Sequence, residues 1–116
     1  MHFKLLFHFF RLSLVVVLVA LGPELSFAES LRCEKKEAQD LLLKAFDLQK
    51  DNNTPKALET YQECLKSDPD CIDCLYEVGW SYWKLGEWKK VIETWKKAQK
   101  LKPDHEKIQQ FLPAAE

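Results

Sequence analysis

Four cysteines, Cys33, Cys64, Cys71 and Cys74, are the residues with the clearest chemistry in this sequence. An even number of cysteines predicts disulfides if the chain is exported, and four of them allow three pairings. Cys71 and Cys74 could instead act as a redox pair, because a helix N-terminus lowers the pKa of a thiol. All four could also bind one zinc ion, although a single C-x-x-C is only half of the usual signature. We favour a structural disulfide framework and keep a thiol-redox or metal-handling role for Cys71 and Cys74 as the alternative.

The remaining polar residues form no catalytic constellation. After the N-terminal segment the single histidine is His105, and no second group is placed to orient it as a general base, so we expect a solvated turn residue. No serine lies in a G-x-S-x-G sequence. Leu75 follows Cys74 where covalent haem attachment requires histidine. The sequence therefore predicts a protein that is not an enzyme and needs no cofactor.

The first 28 residues are typical of a secretory signal peptide. Lys4 and Arg11 give a basic start, and an apolar run, LSLVVVLVAL, follows at 12–21. This run is shorter than the roughly 20 residues that a membrane-spanning helix needs. Small residues ending at Ala28 suit cleavage there. We expect an exported protein, periplasmic or secreted, with no membrane attachment after cleavage.

Residues 29–116 are close to neutral. Without Lys4, Arg11 and Glu24 the chain has 15 basic and 17 acidic residues. Nucleic-acid binding requires a basic face, and membrane-surface binding requires a basic amphipathic helix, so neither partner is expected. A domain of this size has a small core, for which disulfides are a common supplement.

The cysteine pair opens a stretch, residues 71–103, with a distinctive spacing. Large and small residues recur at Leu75, Val78, Gly79, Tyr82, Val91, Trp95, Ala98 and Pro103. This spacing resembles the tetratricopeptide repeat, a helix–turn–helix unit of 34 residues. In such a unit Gly79 would let the two helices approach and Trp95 would fill the groove between them. Gly86 would supply the left-handed residue of the turn, and Pro103 would end the second helix.

A shift of 34 residues relates this stretch to the preceding one. It takes Ala45 to Gly79 and Tyr61 to Trp95. Exposed residues also recur identically, since Lys56, Glu59, Thr60 and Lys66 become Lys90, Glu93, Thr94 and Lys100. We therefore predict repeat 1 over residues 38–71 and repeat 2 over residues 72–105. Repeat 1 departs from the family pattern at Lys44 and at Asn52, which replaces the turn glycine.

The last segment predicts a short capping helix. Ile108, Phe111 and Leu112 have helical spacing, and Pro113 should stop the helix. The predicted organisation is all-α: signal peptide 1–28, N-terminal segment 29–37, the two repeats, and a capping helix with tail at 106–116. Two repeats fall short of the roughly three usually needed for stability. Disulfides, self-association or a partner should make up the difference.

The resemblance also narrows the cysteine pairing. Cys64 and Cys74 lie five residues either side of Pro69, the bend between antiparallel helices, and should face each other. Cys33 would lie one turn before the first helix, beside Cys71 at the start of a parallel helix. We favour Cys64–Cys74 with Cys33–Cys71.

In this family the first helices of successive repeats line a concave groove that binds peptides or partner helices. Carried onto this chain, the groove positions are Leu42, Phe46, Gln49, Lys50, Asp73, Tyr76, Trp80, Trp83 and Lys84. Leu42, Phe46 and Trp80 replace the basic and amide residues of the family's acidic-tail clamp, so an acidic C-terminal peptide is disfavoured. The resemblance implies a protein or peptide partner with an apolar or aromatic segment.

Core packing is the plainer interpretation of the aromatic residues. Trp95 and Trp88 fall at packing positions of the second helix and should be buried. Trp80 and Trp83 suit either the core or an exposed aromatic strip. A homodimer could also cover such a strip, which makes a self-associating scaffold the third hypothesis.

Overall fold

A computed structural model describes residues 33–116, so the predicted signal peptide lies outside the described residues. This part of the chain has no strand and has five helices: α1 Lys36–Lys50, α2 Thr54–Ser67, α3 Ile72–Lys84, α4 Trp88–Leu101 and α5 Glu106–Ala115. The predicted all-α class is confirmed. Within this range, every helix is too short or too polar to cross a bilayer.

Two helical hairpins, α1–α2 and α3–α4, have the same turn. Asn52 has a φ of 57° and Gly86 a φ of 72°, and both positions are one shift of the repeat apart. In each turn the next N–H returns to the last helical turn, from Asn53 to the Leu48 carbonyl at 3.0 Å and from Glu87 to the Tyr82 carbonyl at 2.9 Å. Asparagine tolerates the left-handed region better than most residues, so Asn52 makes the turn without glycine.

The starts of α3 and α5 are also related by the shift. The Sγ of Cys71 accepts the N–H of Cys74 at 3.4 Å, and the Nδ1 of His105 accepts the N–H of Ile108 at 3.3 Å. Each side chain therefore caps its helix at the position that asparagine or aspartate often takes. Helix α5 begins as α3 does, so it stands where the first helix of a third repeat would stand.

Burial of His105 contradicts the prediction of a solvated turn residue. Its side chain is buried, and its ring stacks on Tyr76 with centroids 5.3 Å apart. The capping hydrogen bond requires the imidazole to turn back over α5, which brings it against α3. Sequence spacing alone does not show that contact.

Repeat 2 is built around Trp95, which is fully buried as predicted. A Cβ placed on Gly79 would lie 2.0 Å from the indole Nε1, so only glycine fits there. The indole N–H donates to the Tyr76 carbonyl at 3.1 Å, which satisfies the buried polar group. Repeat 1 solves the same problem with Ala45 and Tyr61, both fully buried.

Trp88 is not a core residue, and that prediction is wrong. It remains 47% exposed, and its ring meets the ring of Trp83 edge to face at 5.0 Å. Trp88 is the first residue of α4, where no preceding turn or neighbouring helix covers it.

Helix α5 covers the apolar face of repeat 2. Ile108 and Leu112 join the core formed by Leu75, Val91, Trp95 and Ala98. Pro113 does not stop this helix, which continues to Ala115. A proline in the last turn removes only one N–H, and the N–H of Glu116 still bonds to the Leu112 carbonyl at 3.2 Å.

Candidate functional site

The four cysteines form one buried cluster at the junction of the two repeats. Cys33 is bonded to Cys71 and Cys64 to Cys74, with Cα atoms 4.4 Å and 6.4 Å apart. This is the pairing that the hairpin geometry favours. The first disulfide ties the segment before α1 to the start of α3, and the second ties α2 to α3. The Cys71–Cys74 bond that a redox role would use is not formed.

The sulfur atoms of both disulfides are close together. All four lie within 4.8 Å of one another, and the Sγ of Cys33 is 4.0 Å from that of Cys64 and 3.9 Å from that of Cys74. One metal ion could be held at these distances only after both disulfides were reduced, because zinc binds thiolates. In the oxidised form the cluster is a structural crosslink.

A groove of about 420 Å³ lies on the face formed by α1, α3 and α5. Its lining consists of Gln49 from α1, Tyr76, Glu77 and Trp80 from α3, and Lys107, Gln110 and Phe111 from α5. A neighbouring cleft of about 530 Å³ shares Tyr76, Glu77 and Lys107 with the groove and continues to the α4–α5 turn. The two cavities form one concave surface, which we call the groove and its cleft.

Three of the predicted partner-binding residues line the groove: Gln49, Tyr76 and Trp80. Asp73 lines the cleft. Trp80 is half-buried and stacks on Trp83, with ring centroids 5.7 Å apart, and on Phe111 at 5.6 Å. The half-burial of Trp80 answers the question left by the sequence: this ring contributes to the core and to the groove.

The other predicted positions lie outside the groove lining. Phe46 is half-buried with its edge toward the ring of Tyr61 at 6.0 Å. Trp83 is half-buried and packs on Trp95 at 5.7 Å. Lys50 and Lys84 are exposed.

Leu42 is a correction to the predicted groove. It is completely buried and therefore inaccessible to a partner. Its spacing explains the error, because Ala38, Leu42 and Ala45 form a single stripe of α1 that faces the interior.

Sequence reasoning missed four groove residues: Glu77, Lys107, Gln110 and Phe111. The signal that finds three of them is the 34-residue shift, which takes Asp73, Tyr76 and Glu77 to Lys107, Gln110 and Phe111. Treating the last helix only as a cap hid this correspondence. Glu77 itself lies four residues after Asp73, on the same face of α3.

Glu77 is a half-buried carboxyl group beside aromatic rings. Burial raises its pKa to about 7, Asp73 raises it further, and the nearby charges of Lys107 and Lys84 lower it. A hydrogen bond from Gln49 also favours the ionised form. Among the described residues no lysine, arginine or histidine forms an ion pair with Glu77.

A buried tyrosine orients the glutamine that contacts Glu77. The hydroxyl of Tyr61 donates to the Oε1 of Gln49, which leaves the amide NH₂ to donate to the carboxylate. Burial, helped by the charge of Glu77, raises the pKa of Tyr61 far above its usual range, so its hydroxyl remains a donor.

Comparison with protein families gives one match. The tetratricopeptide repeat model matches residues 72–105, which are α3, α4 and the turn before α5. Among curated proteins no sequence matches this chain.

Proposed function

We propose that this chain, a member of the tetratricopeptide repeat family, is a non-enzymatic interaction module that binds a partner protein in its groove. Tetratricopeptide repeats generally mediate protein–protein interactions. The observation that supports the groove as the binding surface is its composition: rings of Tyr76, Trp80 and Phe111 border one concavity on three first helices.

These rings suit an apolar or aromatic segment of the partner. Each is half-buried by its own chain, so each is held in place and still presents part of its surface. Rigid aromatic side chains in a concave site give contact area with little loss of conformational entropy, and they are frequent hot spots of binding. A partner helix or extended peptide that inserts an apolar side chain here would bury that surface.

We propose export as the cellular context. The leader-like composition of residues 1–28 supports it, as does a fold in which both cysteine pairs form disulfides. The partner would then meet the protein outside the cytoplasm.

A peptide selection tests the groove. A random-peptide library displayed on phage is panned on the purified protein, and a selected peptide is synthesised and titrated. We expect Trp80→Ala to weaken binding at least about tenfold, as for a hot-spot residue. Trp88→Ala is the matched control, because Trp88 is exposed and lines neither cavity.

The result can contradict the proposal in two ways. If selected peptides bind wild type and Trp80→Ala equally well, the groove is not the binding surface. If no peptide is selected and light scattering shows a dimer, the groove is covered by a second copy, and the self-associating scaffold is correct.

The cysteine cluster supports a second candidate, thiol-redox or metal handling, because its four sulfurs could converge on one ion after reduction. A thiol titration of the native protein discriminates the two functions. The interaction module requires no accessible thiol and unchanged disulfides under mild reductant. Rapid selective reduction followed by binding of one zinc ion per chain would favour metal handling.

A further inference from the structure

The groove has an acidic group at its centre. Glu77 lines both the groove and the cleft, and it is flanked on α3 by the rings of Tyr76 and Trp80. A carboxylate at a half-buried position loses hydration, and an apolar ligand alone would cover it without replacing that hydration. The site therefore favours a ligand that brings a positive charge or a hydrogen-bond donor to Glu77.

The carboxylate is held in place by its neighbours. Tyr61 fixes Gln49, and Gln49 donates to Glu77, so a hydrogen-bond chain runs from the core of repeat 1 to the floor of the groove. Tyr61 is completely buried. Side chains that are fixed before binding lose less entropy when a ligand arrives.

The charge of the lining points in the same direction. The groove and its cleft contain four carboxyl groups, Asp73, Glu77, Asp104 and Glu106, against two lysines, Lys102 and Lys107. Lys102 pairs with Asp104 at 3.4 Å. The Nζ of Lys107 lies 5.7 Å from the centroid of the Tyr76 ring, so one cation of the chain already uses an aromatic face of this surface.

We propose that the groove recognises a basic side chain, arginine or lysine, of the partner segment, with the charged group paired to Glu77 and the stem against Trp80 and Phe111. This inference rests on the proposed function and specifies its ligand. Arginine fits better than lysine, because a planar guanidinium can stack on a ring and bond to a carboxylate at once. Apolar residues that flank the basic residue would cover the remaining rings.

The test uses a peptide selected on the wild-type protein, titrated at about pH 8, above the pKa of Glu77. We expect the selected sequences to share an arginine or lysine next to an apolar residue. Glu77→Gln should weaken the peptide at least about tenfold, because one partner of a buried charge pair is lost. Replacing the basic residue of the peptide by norleucine should cost a similar factor, and the two changes together should cost little more than either alone.

A variant with the opposite expected effect sharpens the test. Lys107→Gln removes a competing cation from the lining and should strengthen the basic peptide by up to about fivefold. Glu63→Gln on the exposed face of α2 is the matched control and should leave affinity unchanged. Urea denaturation of each variant shows that the fold is retained.

The outcomes separate this inference from the proposed function. If the selected peptides lack a basic residue, or if Glu77→Gln binds as tightly as wild type while Trp80→Ala does not, the groove binds a partner and the basic ligand is wrong. If Trp80→Ala also has no effect, both proposals fail.

Discussion

Repeats 1 and 2 share one backbone plan and fill it differently. Repeat 2 combines Gly79 with Trp95, and repeat 1 combines Ala45 with Tyr61. In repeat 2 the largest side chain rests directly on a glycine, since a Cβ would lie 2.0 Å from the indole. In repeat 1 a smaller ring leaves room for a methyl group.

The exchange has a consequence for the groove. Trp95 turns its N–H to the backbone carbonyl of Tyr76, whereas Tyr61 turns its hydroxyl to the side chain of Gln49. The tyrosine of repeat 1 thus reaches Glu77 through Gln49. The repeat that departs further from the family pattern contributes the polar support of the candidate site, and the better-matched repeat contributes the aromatic surface.

The largest expected effects come from the disulfides that join repeat 1 to repeat 2. The Cys33–Cys71 disulfide spans 38 residues and the Cys64–Cys74 disulfide spans 10. Loop-closure entropy predicts that replacing both cysteines of a pair by alanine lowers the free energy of unfolding by about 4 and about 3 kcal/mol, respectively. Urea denaturation measures both; equal or reversed losses would contradict this order.

Exchanging the packing of the two repeats should also have a large effect. Gly79→Ala should destabilise the protein by about 3 kcal/mol, because the methyl group overlaps the indole of Trp95. Ala45→Gly, the matched change in repeat 1, should cost only about 1 kcal/mol.

The double variant Gly79→Ala, Trp95→Tyr gives repeat 2 the residue pair of repeat 1. We expect it to recover much of the stability lost by Gly79→Ala alone, which the same urea measurement shows. A double variant less stable than Gly79→Ala would mean that the two repeats are not equivalent in packing.

Glu77 should make stability depend on pH. Its pKa rises from an ordinary 4.5 to about 7 in the fold, so the native state holds the proton more tightly than the unfolded state. Stability from this group is complete below about pH 4.5 and is lost as the pH rises through about 7. Glu77→Gln should therefore be more stable than wild type at about pH 8, by up to about 3 kcal/mol, and no more stable at about pH 4.

Thermal or urea unfolding at both pH values measures this difference. Asp73, Lys84 and Lys107 also act on Glu77, so Glu63→Gln provides the control for an exposed carboxyl group. A Glu77→Gln variant that is less stable than wild type at high pH would show that the carboxylate is satisfied in the free protein and has no need of a partner's charge.

The smallest expected effects concern the two turns. Asn52 and Gly86 both have left-handed backbones, so alanine at either position should cost about 1 kcal/mol. Asn52→Gly should be neutral or slightly stabilising, because glycine adopts this conformation without strain. If Asn52→Gly were destabilising, the asparagine side chain would have a role in the turn beyond its backbone.

The fold follows from the sequence because the 34-residue shift preserves the residues that decide packing. Gly79 and Trp95 specify each other, and the residues that recur across repeats fix the register. The groove was harder to predict. Leu42 was assigned to it by family position, but burial on α1 depends on how the helix is rotated, which a single repeat does not determine.

The centre of the groove could not be read from helical periodicity. Glu77 looks like an ordinary solvated residue of an amphipathic helix, and only the arrival of Phe111 and Lys107 on α5 makes its surroundings concave. His105 was missed for a related reason, since its cap and its contact with Tyr76 depend on the direction in which α5 leaves the turn.

The central claim is that a partner binds the groove formed by α1, α3 and α5, and chemical-shift mapping tests it most directly. A peptide selected on the purified protein is titrated into isotope-labelled protein, and amide, indole and glutamine side-chain signals are followed. We predict that the largest shifts occur at Gln49, Glu77, Trp80 and Phe111. Shifts confined to the exposed faces of α2 and α4 would contradict the claim.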